Sequence, residues 1–150
     1  MNEDITIFKY QKYLSSYENC PPTEYQEISM NAFRWIFEDI NHENNFKPVL
    51  LIKPERINDK MFDSPEKKCE GYGLSLYDSL SNAKNAYDRI HKRNKNFSKM
   101  VGTYVAQIAL VQTDGVASEF STRKNNKGHF NFHEYENTDL SKNIITVENL

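Results

Sequence analysis

The chain has no apolar run approaching the ~18 residues that a membrane-crossing helix requires; its apolar stretches, such as 49–52, are short. A spanning helix is therefore not expected. Cysteine is scarce, with only Cys20 and Cys69. Two thiols make no disulfide framework, and no Cys/His set has zinc-site spacing. A single bridge between them stays open, and the reducing cytoplasm is the expected compartment. The first residues, MNEDITIFKYQKY, are acidic and then amphipathic. That pattern lacks the basic start of a secretory signal. Glycine and proline number five each, too few for a low-complexity or collagen-like chain. No repeat of 20–50 residues is present.

What is there suits one domain spanning residues 1–150. Hydrophobic residues make up 38% of the chain, with nine Phe and nine Tyr, so a core is available. The formal charge of −2, from 19 basic and 21 acidic groups, hides a segregation. Residues 1–45 carry 3 basic and 8 acidic groups, net −5; residues 46–100 carry 12 and 7, net +5; residues 101–150 carry 4 and 6, net −2. This argues against a whole-chain polyanion binder, and a nucleic-acid partner is not expected. A local anion site in the middle third is compatible with it.

Hydrophobic periodicity predicts the elements. Ile5, Phe8 and Leu14 fall near one helical face over 4–17, ended by Cys20-Pro21-Pro22. Thr23 opens a second predicted helix, in which Tyr25, Ile28, Ala32, Ile36 and Ile40 recur at helical spacing. The run 48–52 reads as a buried strand, and 54–70 as a charged loop. Residues 72–77 read as a strand, followed by a helix from an Asp78 or Ser79 cap to Asn94. Strands are predicted over 104–111, 116–120, 129–133 and 144–147, with Gly128 available for positive φ in the hairpin loop. The fold class is α+β: two N-terminal helices packed on a mainly antiparallel sheet, with one further helix after the second strand.

Residues 71–87, GYGLSLYDSLSNAKNAY, are the most informative segment. Two glycines lead a strand on which Ser75 and Tyr77 share a face, and a capped helix follows at once. The segment resembles the central strand and helix of the ADP-ribosyltransferase fold, in its poly-ADP-ribose-polymerase-like branch. The strand 102–110 is similar to the one that follows there, so the likeness covers about residues 71–147. The resemblance implies NAD held in a cleft by a first-strand Arg or His, a middle-strand Ser or Tyr and a late-strand Glu. It places Ser75 and Tyr77 as cofactor-binding residues. Glu134 and Glu136, in E-Y-E, are similar to the paired glutamates of arginine-modifying members, with Glu136 the essential one and Glu134 the alternative. Strand 48–53 offers only Lys53 as a first-strand anchor. Arg34 is the candidate by residue type, but the periodicity puts it mid-helix.

His129 and His133 alternate with Phe130 and Phe132, which predicts a strand with both imidazoles on one face, about 13 Å apart. That is too far for two ligands of one metal, so no metal site is expected. His129 or His133 is instead a candidate acid–base or anion-contacting group. The basic run 89–99 complements a helix C-terminus. Two functions follow. One is an ADP-ribosyltransferase-like domain that binds NAD or ADP-ribose and transfers ADP-ribose to a macromolecule. The alternative is a non-enzymatic adaptor, inhibitor or immunity-type protein that meets a protein partner through its acidic N-terminal helices, with Tyr10, Tyr13, Tyr17 and Tyr25.

Overall fold

In a computed structural model, which describes residues 7–150, six strands form a single sheet. They are β1 (Met30–Ile36), β2 (Leu74–Tyr77), β3 (Tyr104–Leu110), β4 (Gly115–Ala117), β5 (His129–Glu134) and β6 (Ile144–Asn149). Their order is β4-β5-β2-β1-β3-β6, and every pairing is antiparallel. The helices are α1 (Gln11–Leu14), α2 (Val49–Ile52), α3 (Pro65–Gly71), α4 (Leu80–Arg93) and α5 (Phe97–Val101).

The α+β class holds, but the two N-terminal helices do not exist as expected. Of the helix predicted over 4–17, residues 4–6 lie outside the described residues, and only Gln11–Leu14 is α-helical in the remainder. The second predicted helix is replaced by a strand, β1, in the middle of the sheet. The reason is a degeneracy in spacing. Ile28, Ala32 and Ile36 are four residues apart, which suits both a 3.6-residue helix and a two-residue strand period. Both faces of β1 are covered. Ala32 and Ile36 lie in the main core, and Phe33 and Trp35 pack on the other face against α4. A strand covered on both sides shows no polar alternation to give it away. The run 48–52, expected as a strand, is instead a single helical turn, with Pro48 extended just ahead of it. Residues 54–70 are not featureless either. Two 3₁₀ turns, Pro54–Asn58 and Lys60–Phe62, lead into α3, whose first turn Ser64 caps through the Lys67 amide.

The second half follows the sequence in α4, β3, β5 and β6, while the strand expected over 116–120 shrinks to Gly115–Ala117 and the short helix Phe97–Val101 was not expected. Ser79 caps α4 by accepting from the Asn82 amide. Ala83, Ala86 and Tyr87 form its buried face. Trp35 Nε1 donates to the Ala83 carbonyl at 2.9 Å, and the Tyr87 hydroxyl donates to the Gly102 carbonyl at 2.9 Å. Gly128 has φ 79°, in the region that glycine adopts without strain. On β5, Phe130 and Phe132 enter the core while His129 and Asn131 stay half-buried on the opposite face.

A separate small core joins Leu14, Leu50, Phe62 and Tyr72. Beside it, Cys20 and Cys69 form a disulfide across 49 residues of chain. The bridge that the sequence leaves open is thus formed, and Cys69 is buried. Cross-linking removes loop entropy from the unfolded chain. We expect the double variant Cys20→Ser/Cys69→Ser to lose about 2–4 kcal/mol of stability. Denaturant titration of variant and parent checks this; equal midpoints would show that the bridge adds nothing.

Candidate functional site

β1 and β2 are neighbours in the sheet, yet they register only at Phe33 opposite Tyr77. β1 runs along β3 from Met30 to Ile36, and β2 runs along β5 from Leu74 to Tyr77. Beyond Phe33–Tyr77 the two strands therefore part, leaving backbone groups that no ladder satisfies. Arg34 fills the gap. Its guanidinium donates to the carbonyls of Asn45 (2.5 Å), Ser75 (3.0 Å) and Lys47 (3.2 Å). Burial lowers its pKa to about 10, with the negative charge of Glu134 opposing, so it stays protonated at neutral pH. Asn45 is itself buried and fully paired: its Oδ1 accepts from the Phe37 amide and its Nδ2 donates to the Asp39 carbonyl.

The parting of the strands opens a cleft of about 380 Å³. That is within the size range of small-molecule sites. Ser75 sits on it and is exposed, although its strand has neighbours on both sides. His129 lies next to it, with Nε2 3.0 Å from Ser75 Oγ. Burial pushes the His129 imidazole down to about 4, so the ring is neutral at physiological pH. With the proton on Nδ1, Nε2 accepts from the Ser75 hydroxyl and polarises it. The Tyr77 ring meets His129 edge-on at 5.4 Å and fixes its tilt. Trp35, Val49, Ile52 and Phe97 give the cleft apolar walls, and Lys47, Lys53 and Arg56 add positive charge.

The structure thus brings Arg34, Ser75 and His129 together, and Arg34 is on a strand rather than mid-helix. Tyr77 is buried beneath the site, its hydroxyl donating to Asn126 Oδ1 at 3.2 Å. Glu134 and Glu136 are elsewhere. Glu134 shares the core-side face of β5 with Phe130 and Phe132, and it pairs with Lys9 at 2.9 Å. Glu136 is exposed in the turn after β5, where it lines a separate cavity of about 700 Å³ with Glu27, Asp114 and Asp139. The strand period explains this. Side chains two apart share a face, so Glu134 follows Phe132 into the core rather than His129 onto the cleft.

Sequence reasoning missed Asn131, opposite Ser75 in register, and Glu70, both on the cleft wall. Glu70 was hidden in a segment that reads as loop. The signal was the pair of glycines after it. A Cβ on Gly73 would stand 3.0 Å from His133 Nε2, so the backbone there is pressed against β5. The N-terminal tyrosines are only partly available to a partner. Tyr13 stacks on Tyr72 at 5.1 Å, Tyr17 packs on the same ring, and Tyr25 leans on His133.

His133, like His129, is pushed down to about 4 by burial. Unfolded imidazoles take up protons near 6.5, whereas these two do so near 4. Between those values the unfolded chain binds more protons, so stability falls as pH drops from 6.5 toward 4. Denaturation midpoints across that range check this. Imidazole NMR shifts for His129 and His133 that titrate near 6.5 would contradict it. No protein-family model, curated protein or solved structure matches the chain.

Proposed function

We propose that the domain binds NAD or ADP-ribose in the β1/β2 cleft and transfers ADP-ribose to water or a macromolecular acceptor. One observation carries this reading. A half-buried arginine on β1, an exposed serine on β2 and a neutral histidine on β5 converge on one cleft. Ser75 is on the strand where the resemblance in residues 71–147 calls for a serine or tyrosine, and Arg34, which lies outside that span, is a candidate by residue type for the first-strand arginine or histidine. The walls suit the ligand chemically. Trp35 and Phe97 offer aromatic surface to a flat heterocycle, and Lys47, Lys53 and Arg56 offer charge to a diphosphate. Ser75, His129 and Asn131 offer hydrogen bonds to ribose hydroxyls.

The role of Arg34 is architectural as much as ligand-directed, because carbonyls already occupy its donors. It holds the cleft open and keeps a positive charge under it. On location, no described helix is long and apolar enough to cross a membrane. The Cys20–Cys69 bond favours an oxidising compartment over the cytoplasm.

Isothermal titration with NAD and with ADP-ribose tests the proposal. We expect saturable binding, weakened at least about tenfold by Ser75→Phe, a change that costs ~1.4 kcal/mol or more of binding by filling the cleft. Neither ligand producing heat at millimolar concentration would sink it.

A further inference from the structure

We propose that the Cys20–Cys69 bond is a redox-sensitive device that sets the shape of the cleft: a dithiol reductant releases one cleft wall while the sheet stays folded. This holds whatever ligand occupies the cleft. The two walls have different foundations. One is the sheet itself, with Trp35 on β1, Ser75 on β2 and His129 on β5. The other is the segment 47–71, which sets Val49, Ile52, Arg56 and Phe62 against the cleft.

The second wall is not built on the core of the sheet. Leu50 and Phe62 belong to the small core with Leu14 and Tyr72, and among the described residues no side chain of 47–71 joins the apolar clusters on the sheet. Gly71 seals that small core, since a Cβ there would stand 2.5 Å from Leu50 and 2.8 Å from Phe62. At one end the wall is held by Arg34, which donates to the carbonyls of Asn45 and Lys47. At the other end the Gly73 amide donates to the Glu70 carbonyl, and the chain enters β2. Between these ends, the disulfide is the covalent tie. It fastens Cys69 of α3 to Cys20, which follows α1 and packs on the same small core. Regions with few buried apolar contacts open at a lower free energy than the whole molecule. Reduction removes the link across 49 residues and restores loop entropy to the opened wall.

Cys69 is buried and Cys20 is half-buried, so the reductant reaches the bond from the Cys20 side. One thiolate of the dithiol attacks Cys20 Sγ, the S–S bond breaks, and Cys69 leaves as a thiolate that takes a proton. The second thiol then displaces Cys20 and closes the disulfide of the reductant. Two electrons and two protons pass from the dithiol to the two cysteines.

The test uses no ligand, so its outcome is separate from that of the NAD titration. Hydrogen exchange and acrylamide quenching of Trp35, the sole tryptophan, are measured on the oxidised parent and on the parent in dithiothreitol. The double variant Cys20→Ser/Cys69→Ser is measured with and without dithiothreitol. We expect reduction to speed exchange at the amides of α2 and α3 by at least about tenfold, while those of β3 and β5 stay protected. Trp35 should become more accessible to acrylamide as the cleft opens. The variant should match the reduced parent and ignore dithiothreitol. Unchanged protection in α2 and α3 after reduction overturns the proposal. Equal loss of protection in β3 and β5 also overturns it, because the bond would then stabilise the whole domain. So does a variant that still responds to dithiothreitol, or a bond that dithiothreitol leaves intact in the folded parent.

Discussion

The guanidinium of Arg34 is the constraint on which the site depends. A six-stranded antiparallel sheet ordinarily closes each ladder with backbone hydrogen bonds, and an open seam leaves buried polar groups unpaired at a cost of about 1–3 kcal/mol each. Here β1 and β2 part after one registered pair, and a single side chain supplies donors to three carbonyls at the break. No neutral residue can do this. Arginine has five N–H donors in a planar fork, and lysine has only a single ammonium group to place. The same contacts tie the segment carrying Asn45 and Lys47 to the edge of the split. The wall of the cleft and its floor are therefore set by one residue.

Arg34 is not alone in its charge: Glu134, on the core-side face that Ala32 and Ile36 share with Phe130 and Phe132, acts on it, while Lys9 pairs with Glu134 directly. Burial raises the Glu134 carboxyl, and Lys9 and Arg34 pull it back toward ionisation. The E-Y-E pair that stands out in the sequence is thus divided. One glutamate belongs to the charge balance beneath the sheet, and the other to a solvent-exposed turn. On the cleft side the balance is reversed, with cations in excess and Glu70 set against them.

The C-terminal half of the fold was legible because its signals are local. Ser79 ahead of Leu80, Ala83, Ala86 and Tyr87 marks a capped amphipathic helix, and the strict alternation of His129–His133 marks a strand with one polar face. The N-terminal half was not. β1 has no amphipathic stripe because both its faces are covered, and the four-residue spacing of its apolar positions fits either period. Val49–Ile52 is apolar because Leu50 is buried in a small core with Leu14 and Phe62, a contact between distant segments that no local pattern encodes. The candidate site was legible by residue type but not by partnership. Ser75 and His129 are 54 positions apart, and only the β2–β5 register brings them within hydrogen-bonding distance.

The Cys20–Cys69 bond also determines how the molecule fares when its backbone is cut. The exposed stretch around Glu55 and Lys60 lies between the two cysteines in sequence. Exposed loops are where proteases nick folded chains. A single cleavage there would leave two polypeptides held by sulfur, with β1 on one piece and β2 on the other. The split sheet, already joined at that seam by side-chain contacts to carbonyls more than by a ladder, could then persist as a two-chain molecule. Separating its halves would require reduction as well as proteolysis.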